Sequence, residues 1–79
     1  MKLKEFRTVN GCRVTDYTFI RTDDSSDYID AFTEYKDDVE FNPERYERTI
    51  QKFLKYADSE ILTMYVFNDV LRVCCVIHN

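Results

Sequence analysis

The residues of this chain with the most chemical potential are its carboxylates. Asp23, Asp24, Asp27, Asp30, Glu34, Asp37 and Asp38 follow one another, Glu40 and Glu44 prolong the run, and Lys36 is the one base among them. A one-signed run of this length suits docking on a basic protein surface or imitation of a phosphate backbone. The same residues would also serve as a solvated face that keeps a protein soluble. They do not suit calcium, because the D-x-D-x-D-G loop spacing is missing. Nor do they suit acid–base catalysis, because nothing around them points to the burial that would move a carboxylate pKa.

The thiols are Cys12, Cys74 and Cys75. Their number is odd, two are adjacent, and no C-x-x-C spacing occurs. Adjacent strand residues face opposite ways, so Cys74 and Cys75 do not readily share a metal. Three reduced thiols in a reducing compartment is the expectation. His78 and Cys74 stand four strand residues apart, roughly 13 Å, too far for a nucleophile and its base. No G-x-S-x-G, Walker loop, H-E-x-x-H or dinucleotide fingerprint is found. With Gly11 as its single glycine, the chain has no means to build a phosphate-cradling loop. The reading is a non-enzymatic protein with no catalytic or metal-binding residues and no cofactor.

The composition sets the frame for these residues. Seventy-nine residues, read as a single domain over 1–79, carry 44% apolar side chains including six Tyr and six Phe. That is enough for one core without staples. A net charge of −4 disfavours direct binding to DNA or RNA, whose partners carry a basic excess. No stretch approaches the roughly 20 apolar residues of a membrane span, and no secretory signal is visible. A cytoplasmic protein is expected, in the host cell's cytoplasm if the source is a phage.

The most apolar stretch, residues 61–77, reads as a β-hairpin turning at Asn68-Asp69. In that register Leu62, Met64, Val66, Leu71, Val73, Cys75 and Ile77 share one face, expected to lie under helices. Ile61, Thr63, Tyr65, Phe67, Val70, Arg72, Cys74 and Val76 share the other. Residues 1–21 read as a first hairpin around Asn10-Gly11, a dipeptide that tolerates the positive φ of a type I′ turn. Residues 23–38 read as a first helix, with Tyr28, Ile29, Phe32 and Tyr35 on one side and the acids opposite. Asn42-Pro43 starts a second helix, running to about Ala57. Its expected buried face is Tyr46, Ile50, Phe53, Leu54 and Ala57, and Arg45, Arg48, Lys52 and Lys55 fall opposite. The fold class that follows is α+β, order ββααββ: an antiparallel four-stranded sheet with two helices on one face.

Two surfaces emerge as candidate partner sites. One is the acidic face of Asp23, Asp24, Asp27, Asp30, Glu34, Asp37 and Asp38, suited to a protein partner with a basic surface. The other is the second hairpin face of Ile61, Tyr65, Phe67, Val70, Arg72 and Val76, suited to a partner or to a homodimer. The chain is short, acidic, rich in Tyr, Phe and Asp and poor in Gly. In composition it is similar to small early proteins of bacteriophages. That resemblance implies an inhibitor that binds and blocks a host factor, such as a defence or transcription component, by occluding a basic, nucleic-acid-binding surface. The alternative is a homodimeric assembly or regulatory protein, antitoxin-like, associating through the C-terminal hairpin.

Overall fold

A computed structural model describes residues 1–21 and 24–77, and the side chains of all of these but 24–26. Asp23 and His78 therefore lie outside the described residues, as does the side chain of Asp24. The elements run α1 (Leu3–Val9), β1 (Val14–Arg21), β2 (Asp24–Tyr35), α2 (Asp38–Phe41), α3 (Pro43–Lys55), β3 (Glu60–Phe67) and β4 (Val70–Ile77). The strands form one four-stranded sheet in the order β2-β1-β4-β3. β1 pairs antiparallel with β2, β4 pairs antiparallel with β3, and the two hairpins join through a parallel β1–β4 contact. The class is α+β as expected, but the sheet is mixed rather than antiparallel, and the ββααββ order does not hold.

Two elements account for the difference. The first is residues 3–9, expected as a strand and observed as a helix. Leu3 and Phe6, three residues apart, are both buried, while Lys2, Lys4 and Glu5 face water; this is a single-sided helical pattern. Asn10-Gly11 does not form a hairpin turn. Asn10 has φ −73°, and the described residues with positive φ are Asn68 and Asp69. Asn10 instead folds locally. Its Oδ1 accepts the Cys12 N–H at 3.0 Å, and its Nδ2 donates to Thr15 Oγ1 at 3.0 Å. A short polar side chain that binds its own backbone two residues on makes a turn without positive φ.

The second is residues 24–35, expected as an acidic helix and observed as a strand. Ser, Asp, Thr and aromatic residues are weak helix formers, and tertiary pairing overrides a short helical periodicity. In register with β1, Tyr17 faces Phe32, Thr15 faces Glu34 and Phe19 faces Asp30. The register slips between Phe19 and Ile20, whose partners Asp30 and Tyr28 leave Ile29 over. Ile29 packs against the core from there. This bulge is why the residue spacing looked helical rather than alternating.

The core lies between the sheet and α1 and α3. It gathers Leu3, Phe6, Tyr17, Phe19, Phe53, Tyr56, Val73 and Cys75. Phe19 stacks on Tyr56 with ring centroids 4.1 Å apart, and Phe53 meets Tyr17 and Phe32 edge-on at 5.1 and 5.2 Å. α3 starts at the expected cap: Asn42 Oδ1 accepts the Arg45 N–H at 3.2 Å, with Pro43 at the first helical position. Its buried face differs from the expected one. Thr49, Phe53 and Tyr56 are buried at i, i+4 and i+7, and Leu54 is exposed.

Candidate protein-interaction edge

The hairpin β3–β4 is where the sequence reading and the structure agree in register. Asn68 and Asp69 turn with φ 52° and 62°, the type I′ geometry that matches strand twist. Phe67 faces Val70, Val66 faces Leu71, Tyr65 faces Arg72 and Met64 faces Val73; the register then shifts between Ile61 and Thr63. That shift brings Ile61, not Leu62, to the helix side, where it packs against the core.

Leu62, Met64 and Val66 were expected under the helices and are not. With Tyr65 and Phe67 they expose 50–68% of their surface, so both faces of β3 are open. The cause is the size of the helix layer. α1 has seven residues, so it is only about 10 Å long. α3 lies over β2, at the far side of the sheet. The helices reach Val73 and Cys75 of β4, and of β3 only Ile61 joins the core.

The outer edge of β3 is open as well. Its first residues are covered by the N-terminal segment: Leu3 N–H donates to Ser59 O and Ile61 N–H to Met1 O, both at 2.9 Å, bridging Lys2 to Glu60. From residue 62 onward no such cover is present among the described residues. In a two-residue hairpin the pair next to the turn is hydrogen-bonded and alternate pairs are not. Val66 and Met64 therefore point their N–H and C=O groups away from β4. The strand from 61 to 67 holds no charge. β2, the opposite edge, is blunted by Asp27, Asp30 and Glu34 and by its bulge, the usual defences of an edge strand. β3 carries none of them past its own small bulge.

The six residues expected on the second hairpin face are only partly together. Tyr65 and Phe67 are open, Val70 and Arg72 are half-buried beside them, Val76 is buried, and Ile61 lies on the other face. The Arg72 guanidinium is committed to Asp16 at 3.0 Å, and it sits 5.5 Å from the Phe67 ring centroid.

The acids are dispersed. Asp27 pairs with Arg21 at 2.9 Å and Asp37 with Arg13 at 2.7 Å. Asp38 is buried and holds Arg45 through both oxygens at 2.7 Å, and this guanidinium keeps its carboxyl below the usual range. Asp30 accepts Lys52 Nζ at 2.5 Å and the Tyr56 hydroxyl at 2.7 Å, and these bonds lower its pKa too. Glu34 is buried, accepts the Tyr17 hydroxyl at 3.2 Å and lies 3.8 Å from Arg7. Five of the seven expected acidic-face residues thus hold a cation of their own chain. No local sequence pattern could have revealed this, because the partners are on other elements.

Burial pushes the Cys75 thiol up to about 11 and raises Cys74, so neither is an activated nucleophile. Among the described residues no cluster of three His, Cys, Asp or Glu converges as a metal site, and no helix is long and apolar enough to cross a membrane. Comparison with protein-family models, with curated proteins and with solved structures returns no match.

Proposed function

We propose that this chain is a non-enzymatic protein-association module that lends the open edge of β3 to a strand of a protein partner. One observation carries the reading: residues 62–67 form an uncharged strand edge, apolar and exposed on both faces, while the opposite edge of the same sheet is charged and bulged. Main-chain bonds from Met64 and Val66 would supply affinity. Tyr65 and Phe67 on one face, and Met64 and Val66 on the other, would supply selectivity.

Val66→Pro tests it. The Val66 N–H faces outward, so proline removes a donor to a partner without breaking the β3–β4 ladder. A protein partner retained by the immobilised wild-type chain should be lost by Val66→Pro. A partner held equally by both would overturn the reading.

A second reading has the acids from Asp27 to Asp38 occlude a basic, nucleic-acid-binding surface of a host defence or transcription protein. The net charge of −4 favours it. It draws less support, because Asp27, Asp30, Glu34, Asp37 and Asp38 each lie beside a cation of this chain.

A further inference from the structure

We infer that the strand received by β3 is the β3 of a second copy, paired antiparallel about a two-fold axis through Tyr65. This rests on the open-edge reading above and names its occupant.

A two-fold normal to the sheet is the symmetry that sets two identical edge strands antiparallel in one continuous sheet. It keeps each face on its own side, so a residue must lie opposite one of the same parity. The pairing therefore centres on a residue, and the outward-facing backbone groups belong to Met64 and Val66. Centred on Tyr65, Met64 exchanges N–H···O=C bonds with the partner's Val66, and Val66 with the partner's Met64. Tyr65 then faces the partner's Tyr65 as a close, non-hydrogen-bonded pair, and Thr63 faces the partner's Phe67. A shift toward Met64 would drive the partner's turn further into the segment that covers Ser59 and Ile61.

Charge also permits this register. No acid faces an acid, because residues 61–67 are neutral. Asp69 of each copy is brought alongside the other's residues 1–2, where Lys2 offers the opposite sign. In such pairing the partner strand covers the flanks of the exposed β3 side chains and the outward backbone, less than the roughly 800 Å² per partner of a standard interface, so micromolar or weaker association is expected.

Sedimentation equilibrium across ~5 µM to ~500 µM tests it, a span that covers micromolar to sub-millimolar association. The wild-type chain is expected at twice the 9.5 kDa of one chain, and Val66→Pro at single mass with an unchanged circular-dichroism spectrum. Tyr65→Arg and Tyr65→Asp should each weaken self-association at least tenfold, because like charges then face each other on the axis. Mixing the two variants should restore a dimer.

Wild type at single mass throughout would overturn the second copy as occupant, and would leave the open-edge reading to the bait comparison of wild type with Val66→Pro. A dimer that survives Val66→Pro would overturn edge pairing itself. A wild-type dimer whose charge variants fail to recombine would overturn the Tyr65 register.

Discussion

At the scale of single residues, the chain uses its charges as ties between elements. Asp30 on β2 holds Lys52 and Tyr56 of the α3 region, and Asp38 on α2 holds Arg45, whose guanidinium also lies 4.2 Å from the Tyr35 ring centroid. A carboxylate that accepts two bonds at a half-buried site matters more than an exposed pair. Asp30→Ala is expected to destabilise the fold by about 1–3 kcal/mol in urea unfolding, because it leaves Lys52 and the Tyr56 hydroxyl without their acceptor. In a double-mutant cycle with Tyr56→Phe the losses should be non-additive. Strict additivity would mean that the two groups act separately.

At the scale of elements, the hairpin β3–β4 is nucleated by a turn that its residues tolerate rather than prefer. Asn68 and Asp69 both hold positive φ, which costs an L-residue with a Cβ part of its stability. Asp69→Gly should relieve that strain and raise stability by about 0.5 kcal/mol, since Asn-Gly is the favoured type I′ pair. A drop in melting temperature for this variant would show that the Asp69 side chain has a role of its own. The same turn sets the register that leaves Val66 and Met64 pointing outward, so the open edge and the turn are one feature.

At the scale of the whole molecule, the ionisable groups define a pH window. The carboxyls of Asp30, Asp38 and Asp58 are held below their ordinary 3.8 by Lys52 and Tyr56, Arg45 and Lys4 respectively. Their contribution is complete above that value and is lost as pH falls through the lower folded-state pKa. Burial raises Tyr17, and burial with the Asp30 bond pushes Tyr56 from 10.0 up to about 12. A raised tyrosine contributes fully below its unfolded pKa, and that contribution is lost as pH rises toward the folded value. Thermal stability should therefore be level from about pH 5 to pH 9, fall below pH 4, and fall again above pH 10. A melting temperature that holds flat from pH 10 to 12 would contradict the buried hydroxyl network. Within the window, the self-association proposed for the uncharged edge should be insensitive to pH, which sedimentation at about pH 5 and pH 9 would check.

The sequence by itself determined the α+β class, the helix from Pro43, and the last hairpin with its turn and its register as far as Thr63 and Cys74. Each of these is encoded in neighbouring residues: an Asn-Pro cap, an Asn-Asp turn, and apolar alternation on either side of it. It also grouped Ile61, Tyr65, Phe67, Val70, Arg72 and Val76 on one hairpin face, of which the structure moves Ile61 to the other face and buries Val76. Tertiary structure decided the rest. Residues 24–35 carry a helical spacing of apolar residues, yet pairing with β1 makes them a strand with a bulge at Ile29. Asn10-Gly11 has the composition of a hairpin turn, yet the burial of Leu3 and Phe6 makes the preceding residues a helix. The acids from Asp27 to Asp38 read as one ribbon because sequence places them together, yet Asp30 and Glu34 of β2 stand opposite the buried Phe19 and Thr15, and Asp37 and Asp38 lie beyond the strand. Whether a helix covers a strand depends on the length and placement of both. Leu62, Met64 and Val66 could therefore be recognised as apolar from sequence, but only the packed molecule left them open.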